Sequence, residues 1–267
     1  MSCHINGTDT AAINYEGQCL WVGATGRYID GDETFQDIGF EETAGQFAAG
    51  AQVALNPVWR LGAGLGYQTA SLNTNSDAFS DSDQIQGGVA LKYNPGALLL
   101  AGVLSGAHGW YDTARPMLFG GFAKTAQSEH ELDVLQGRLH ASYVLGSPGL
   151  YYKPMLDAAV TGVDLGDVRE WGAGGASLLV HGNDHTVFSL SPALEAGTEW
   201  WWSNGTLVRP FVRAGLTWYR EDDVTVAASF SGAPSRVAPF TIVANTDDVQ
   251  ADVAAGIELI DSSDSAL

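Results

Sequence analysis

Residues 47–72 alternate between two kinds of side chain along almost their whole length. From residue 58 on, the odd positions are mostly large and apolar, and the even positions between them are glycine or polar. The break at Asn56-Pro57 divides the stretch into two strands of a hairpin. Because successive side chains of a strand point to opposite faces, the pattern predicts a hairpin with one apolar face and one small, polar face.

Aromatic residues favour a membrane sheet over a soluble one. Trp59 and Tyr67 bracket the apolar run on a single face. About eight residues at roughly 3.3 Å each, tilted by about 40°, span roughly 20 Å, which is close to the apolar band of a membrane barrel. The 33 glycines, 8 tryptophans and only 12 Lys and Arg among 267 residues are also unusual for a soluble protein. We interpret the hairpin as lipid-facing.

The rest of the chain continues the pattern as ten strands separated by alternately short and long connections. Short turns fall near residues 56, 95, 147 and 204, and long loops are predicted near residues 35, 78, 121, 174 and 234. The polar segments 73–83 and 112–131 are two of these predicted long loops. Short turns on one rim and long loops on the other are typical of outer-membrane barrels. The predicted fold is therefore all-β, an antiparallel up-and-down transmembrane β-barrel of the outer-membrane type.

The placement of charge supports the same fold. An Arg or Lys at the lipid-facing midplane costs roughly 2–4 kcal/mol, and every strand Lys and Arg falls on the polar face. Arg115, Lys124, Arg169, Arg220 and Arg236 are assigned to loops or strand ends. The charged residues predicted to face the lumen are Arg27, Arg60, Lys92, Arg138, Lys153, Asp157, Glu195, Glu199, Arg209, Arg213, Asp252 and Glu258. The residues predicted to face lipid are Trp59, Leu61, Leu65, Tyr67, Leu91, Tyr93, Leu139, Tyr143, Trp200, Val212, Trp218, Val253 and Ile257.

The hairpin around Ser203-Asn204-Gly205 allows a prediction of register. A three-residue connection places Glu199 opposite Arg209 and Glu195 opposite Arg213, whereas a two-residue turn would pair residues of opposite facing. We therefore predict the odd-length connection and two carboxylate–guanidinium pairs in the lumen.

Cys3 and Cys19 are the only cysteines, and both precede or open the first strand. They are either two unrelated thiols or a disulfide that ties the leading segment to the first strand. A disulfide would require an oxidising compartment such as the periplasm.

Several stretches resemble the carboxy-terminal translocator domain of autotransporters, the type V secretion proteins of Gram-negative bacteria. They are residues 106–112 (GAHGWYD), 138–143 (RLHASY), 152–157 (YKPMLD), 193–197 (ALEAG) and 209–213 (RPFVR). The resemblance implies an outer-membrane barrel of twelve strands that helps to export an amino-terminal passenger to the cell surface. It also implies outer-membrane lipid, the barrel-assembly machinery and the covalently linked passenger as partners.

Two departures from the family pattern lead to further expectations. Ten strands are visible rather than twelve, and residues 262–267 (SSDSAL) do not end on the aromatic residue that the family shows. We expect residues 1–16 to be a lead-in from a passenger, and residues 17–267 to be a barrel domain without its last hairpin. The first and tenth strands should then not be hydrogen-bonded to each other.

No catalytic arrangement of residues stands out. His181 and His185 could offer metal ligands, but a polar loop at a rim is the favoured interpretation. We therefore expect no enzymatic activity, no cofactor and no metal. The net charge of −19 makes nucleic acid an unsuitable partner. Two alternatives to a translocator stay open at this stage, a diffusion porin and a small-barrel outer-membrane enzyme.

Overall fold

A computed structural model of the protein describes residues 17–31, 39–203, 206–220, 224–234, 236–244 and 248–261. Ten long antiparallel strands make up the main sheet. They are β1 (Cys19–Gly31), β2 (Phe40–Ala54), β3 (Trp59–Thr74), β4 (Phe79–Tyr93), β5 (Leu98–Phe119), β6 (Phe122–Tyr143), β7 (Leu150–Leu165), β8 (Asn183–Gly197), β9 (Thr206–Arg220) and β10 (Val249–Asp261). Within the described ranges, no helix is long and apolar enough to cross a membrane.

The long strands follow one another in sequence order, so the sheet is an up-and-down meander. It curls into a half-barrel. Among the described residues, β1 pairs only with β2 and β10 pairs only with β9, in agreement with the expectation that these two strands are not joined. The short strands Leu145–Ser147 and Trp200–Trp201 add to the ends of β7 and β9.

The outer face of the sheet carries an apolar band between two sets of aromatic residues. At the short-turn ends of the strands lie Trp59, Tyr93, Tyr143, Tyr152 and Trp200, and farther along the strands toward the long-loop rim lie Phe47, Tyr67, Trp110, Phe188 and Trp218. All of these side chains are exposed except Tyr93, which is half-buried because its ring lies 4.9 Å from that of Trp59. Such aromatic girdles mark the two interfaces of a membrane barrel.

Glycines on the inner face make room for large side chains of neighbouring strands. The Trp21 ring of β1 lies over Gly50 of β2 and Gly64 of β3. A Cβ on Gly50 would lie 2.5 Å from Trp21 Cζ2 and 2.5 Å from the carbonyl oxygen of Ala63, so only glycine fits without a shift. Glycine covered by an aromatic ring of an adjacent strand is a known way to curve a sheet and fix its register.

Two of the predicted long loops are wrong. The segment 73–83 is mostly strand, with only residues 75–78 between β3 and β4. The segment 112–131 is also strand, because β5 and β6 are 22 residues each and join at Gly120-Gly121. These two glycines have φ values of 51° and 85°, which suit a tight two-residue hairpin turn. Polar residues here show where the strands leave the apolar band, and the strands themselves continue beyond it. Arg115 and Lys124, assigned to a loop by sequence, therefore lie within β5 and β6.

The long loop predicted near residue 35 falls on residues 32–38, which lie outside the described residues. The long connections after β7 and after β9 build a second small sheet at the long-loop rim. This loop sheet consists of Val168–Arg169, Leu178–Val180, Val224–Phe230 and Phe240–Ala244, with a turn of 3-10 helix at Gly174–Ala176. The strand Leu178–Val180 pairs with strands from both loops and so joins the two. The sequence predicted these connections as loops and gave no sign of the sheet.

Candidate functional site

The inner face of the half-barrel encloses a cavity of about 1090 Å³. Its wall carries many amide and small side chains, together with charged residues of both signs. Of the predicted lumen-facing charges, those that line the cavity are Lys92, Arg138, Lys153, Asp157, Glu195, Arg213, Asp252 and Glu258. The charged groups form three clusters, each built across adjacent strands.

The first cluster joins β6 to β7. His140 lies directly opposite Asp157, and Arg138 lies one diagonal position away. Arg138 Nε donates to Asp157 Oδ1 at 2.7 Å, and the His140 ring nitrogen Nδ1 lies 2.9 Å from the same oxygen. Cross-strand pairs of this kind add to the stability and register of a sheet.

The second cluster joins β7 to β8. Lys153 lies opposite Glu195, and its Nζ is 2.8 Å from Glu195 Oε1. The fully buried Tyr151 donates its hydroxyl hydrogen to the same carboxylate oxygen at 3.0 Å. The predicted Glu195–Arg213 ion pair is wrong, although the two residues do lie opposite each other in the sheet. Lys153 and Tyr151 hold the carboxylate on the β7 side, and Arg213 turns toward Asp252 of β10, 3.9 Å away.

The third cluster joins β9 and β10 to Glu199, which follows β8, near the short turns. Arg209 Nε donates to Glu199 Oε1 at 2.6 Å, and Arg209 Nη1 donates to Glu258 Oε2 at 2.8 Å. The Arg209 and Glu199 side chains are only 4% and 3% exposed. The pairing of Glu195 with Arg213 and of Trp200 with Val208 confirms the register predicted from a three-residue connection.

Other predicted lumen charges lie close to the first strands. Arg27 of β1 forms an ion pair with Glu42 of β2. Arg60 and Lys92 are directly opposite each other and are 4% and 8% exposed. Arg60 Nη1 donates to the backbone carbonyl oxygen of Asn56 at 3.1 Å, which helps to satisfy a guanidinium next to a second cation.

The chain reaches β1 from the inner face. The side chain of Gln52, on the inner face of β2, donates through Nε2 to the carbonyl oxygen of Gly17 at 2.7 Å. Gln52 lines the cavity, and both Gln52 and Gly17 are buried. The backbone that leads into the first strand is therefore held against the cavity wall.

The predicted lipid-facing residues lie on the opposite surface. All of them are exposed except the half-buried Tyr93, and Leu65 is 75% exposed. Beyond the aromatic residues at the long-loop side, polar pairs replace apolar ones: Tyr67 Oη donates to Asp83 at 2.5 Å, and Ser71 Oγ donates to Asp81 at 2.6 Å. The outer surface thus changes from apolar to polar along each of these strands.

Sequence reasoning missed three residues of the inner face. It assigned His140 to that face without recognising its contact with Asp157, and it did not consider Tyr151. The parity of Tyr151, two residues before Lys153, would have placed it inside. The position of Trp21 over two glycines had no local signal, because it depends on three strands packed side by side.

The remaining predicted sites bear on other chemistry. His181 lies next to the loop sheet, where its backbone N–H donates to the carbonyl oxygen of Ala227, and His185 lies within β8. No group of three His, Cys, Asp or Glu in the described part of the chain could hold a metal ion. Cys3 lies outside the described residues, so the Cys3–Cys19 disulfide stays a prediction.

A comparison with known protein families supports the translocator interpretation. The family model "Autotransporter beta-domain" matches residues 20–266. The chain belongs to the autotransporter beta-domain family. It is accordingly an outer-membrane translocator barrel of a Gram-negative bacterium, with an associated passenger.

Two solved structures share the fold of this chain. The translocator domain of the autotransporter NalP from Neisseria meningitidis gives a TM-score of 0.65 at 12% identity, over 92% of this chain and 88% of that chain. The beta domain of the Bordetella autotransporter BrkA gives 0.62 at 15% identity, over 92% of this chain and 96% of that chain. No curated protein matches this autotransporter beta-domain.

Proposed function

We propose that residues 17–267 act as the export barrel and that the segment 1–16 connects this barrel to the passenger through the lumen. The hydrogen bond from Gln52 to Gly17 carries the proposal, because it holds the backbone ahead of β1 on the cavity side of the sheet. The cavity wall carries amide side chains and paired charges, which suit contact with a polar backbone.

The same proposal assigns the two faces of the sheet. The apolar face with its aromatic girdles contacts lipid, and the face with Lys92, Arg138 and Glu195 lines a polar lumen. The outward exposure of Leu65 and the ion pairs of the inner face support this assignment. We further propose that the barrel-assembly machinery inserts the chain, as family membership implies, and that the lumen serves export and not catalysis.

Single cysteines in the full-length, passenger-linked protein test the proposal, with Cys3 and Cys19 replaced by Ser. Gln52→Cys and Gly17→Cys together should form an oxidised or bismaleimide-linked pair in protein that displays its passenger, because the proposal places residue 17 beside residue 52 in the exporting barrel. Gly17→Cys paired with Leu65→Cys, on the outer face, is the matched control and should not link. Linking of residue 17 to residue 65 and not to residue 52, in protein that displays its passenger, would contradict the proposal.

Thiol labelling separates the two faces in the same protein. Gln86→Cys on the inner face should react with a charged, water-soluble maleimide, whereas Leu65→Cys should react only with a lipid-soluble one. The reverse pattern would overturn the inside–outside assignment without bearing on export.

A further inference from the structure

The strands β5 and β6 extend far past their neighbours at the long-loop rim. Each has 22 residues, compared with 16 in β7, and the last pair between β6 and β7 is Leu132 with Leu165. Residues 122–131 of β6 thus continue beyond the end of β7. An uncovered strand edge is a template for unwanted pairing. The loop after β7 covers part of this edge through reciprocal backbone hydrogen bonds of 2.9 Å between Gln127 and Trp171.

One carboxylate ties the loop sheet to the extended hairpin. Arg115 of β5 donates to both oxygens of Glu170, from Nε to Oε1 at 3.0 Å and from Nη2 to Oε2 at 2.6 Å. Glu170 Oε2 also accepts the backbone N–H of Leu178 at 2.7 Å. The Glu170 side chain is 11% exposed. A bidentate Arg–carboxylate pair with little solvent access is geometrically specific, so Glu170 fixes three chain segments at once.

Close packing around this carboxylate shows that the loop is pressed onto the hairpin. Ala126, Ala173 and Ser177 are almost completely buried. A Cβ on Gly172 would lie 2.6 Å from the carbonyl oxygen of Thr125, so the loop backbone touches β6 directly. The loop after β9 is held to the loop after β7, because Ser231 N–H donates to the carbonyl oxygen of Ser177 at 2.8 Å.

Arg115 shares the inward parity of Ala107 and Ser105, which line the cavity. The Glu170 clamp therefore lies on the side of the hairpin that faces the exit of the lumen. Two long connections, the first ending at β8 and the second at β10, depend on it for their position. Loops released from the hairpin would be free to occupy the space through which an exported chain leaves.

We propose that Glu170 is a positioning residue for export: through Arg115 it pins the loop sheet to the β5–β6 hairpin and keeps both loops out of the exit of the lumen. The proposal rests on the translocator function, since only an exported chain needs this exit. Glu170 acts on the exported chain through the loops and not by direct contact.

The test uses the full-length, passenger-linked protein with Cys3 and Cys19 replaced by Ser. Glu170→Gln and Arg115→Gln remove the ion pair, and the exchange of Arg115→Glu with Glu170→Arg restores it in the opposite sense. Asp133→Asn is the matched control, because Asp133 pairs with His108 on the outer face. Three quantities are measured: barrel folding by heat-modifiable gel mobility, maleimide labelling of Ser177→Cys, and passenger display on intact cells.

The Gln variants should fold normally, label at residue 177 severalfold faster and display severalfold less passenger. The exchange variant should recover part of the protection of residue 177 from labelling and part of the passenger display. Recovery should be incomplete because the Leu178 N–H then lacks its carboxylate acceptor. The control should match wild type. Faster labelling with full display would show that loop position does not govern export, and unchanged labelling would show that the pair does not pin the loop.

Two further outcomes are distinguishable. If the Gln variants do not fold, the exchange variant decides, because normal folding without display contradicts the proposal and normal folding with display supports it. Loss of display in wild type or in the Asp133→Asn control would count against the translocator function itself.

Discussion

At the scale of single residues, the charged side chains of the lumen wall pair with opposite or diagonal neighbours on adjacent strands. Lys153 with Glu195 and Arg209 with Glu258 are opposite pairs, and Arg213 with Asp252 is a diagonal one. Their solvent exposure differs widely. Pairs exposed to water contribute little to stability, whereas breaking a buried pair leaves an uncompensated charge. The same chemistry therefore has different consequences along the lumen.

The buried pair of Arg209 and Glu199 leads to the first prediction. Glu199→Gln removes the carboxylate to which Arg209 Nε donates at 2.6 Å. We expect a loss of about 3 kcal/mol in the free energy of unfolding, at the lower end for buried pairs because Glu258 still accepts from Arg209. Urea unfolding in detergent, followed by tryptophan fluorescence, measures this. Glu258→Gln is the control, and an equally large loss there would contradict the importance of burial, since the Glu258 side chain is 42% exposed.

A carboxylate pair beyond the aromatic residues leads to a prediction about pH. Asp164 and Asp184 lie opposite each other on the long-loop side of Phe188. The neighbouring Asp184 carboxylate raises the pKa of Asp164 above its ordinary value of 3.8. When the pKa of an acid is higher in the folded state than in the unfolded state, charge repulsion destabilises the fold at pH values above the folded-state pKa. This destabilisation is absent at pH values below the unfolded-state pKa. Asp184→Asn should therefore raise the unfolding midpoint at pH 7, lose this advantage as the pH falls through the raised pKa of Asp164, and have none left below 3.8.

The control for the pH effect is Asp77→Asn. Asp77 has a φ of 62° in the turn between β3 and β4, a conformation that Asn also adopts readily. Its unfolding midpoint should differ from that of wild type by a similar small amount at both pH values. A pH-independent gain from Asp184→Asn would show that the effect is not one of charge repulsion.

At the scale of elements, one aromatic ring of the first strand packs against both the second and the third strand. Trp21 covers Gly50 and Gly64, so the close approach of three backbones depends on two residues without side chains. The hairpin of β5 and β6 shows a second device, a Gly-Gly turn with both φ values positive between strands that continue well past the apolar band. In both places glycine sets the geometry of an element and not merely its flexibility.

The Trp21 contact predicts different effects for the same substitution at two positions of β2. Gly50→Ala places a methyl group 2.5 Å from a backbone oxygen and from the Trp21 ring, and we expect a cost of about 1–3 kcal/mol from overpacking. Gly45→Ala meets nothing within 4 Å and should be neutral or slightly stabilising. Thermal unfolding of the two variants in detergent measures the difference. Equal midpoints would mean that Trp21 can move away at little cost.

At the scale of the whole molecule, the main sheet is one curled wall with an apolar outer face and a polar inner face, and the loop sheet lies at one rim. Few large side chains are fully buried in the described part of the chain, Tyr151 and Leu207 being the largest. The apolar residues are instead displayed on the outer face, where lipid takes the role that a protein core has in a soluble fold. Stability of this arrangement depends on the membrane and on the pairing of neighbouring strands.

This arrangement predicts a strong dependence on the face at which a charge is introduced. Leu65→Arg places a guanidinium on the outer apolar band and should cost roughly 2–4 kcal/mol of unfolding free energy in lipid vesicles. Gln86→Arg, on the inner face of the adjacent strand, is the matched control and should cost little. Chemical unfolding of both variants in vesicles measures the difference. A larger loss for Gln86→Arg would reverse the assignment of the two faces.

Much of the fold follows from the sequence alone, because a strand has a side-chain period of two and a membrane sheet must keep unlike residues on unlike faces. Parity was enough to predict ten long strands and the register of β8 with β9. It could not predict that residues 112–131 stay in strand. A strand that continues past the apolar band and a strand that ends there are both followed by polar residues in the sequence. The Gly120-Gly121 pair was the available signal.

Only the tertiary structure decided the contacts between strands that are distant in sequence or that compete for one partner. Glu195 had Arg213 on one side and Lys153 on the other, and the buried hydroxyl of Tyr151 settles the carboxylate on the β7 side. The loop sheet and its Glu170 clamp join residues more than fifty positions apart, as the Arg115–Glu170 separation of 55 shows. Local pattern determines which way a side chain points, whereas the choice among several neighbours depends on the three-dimensional packing that brings them within reach.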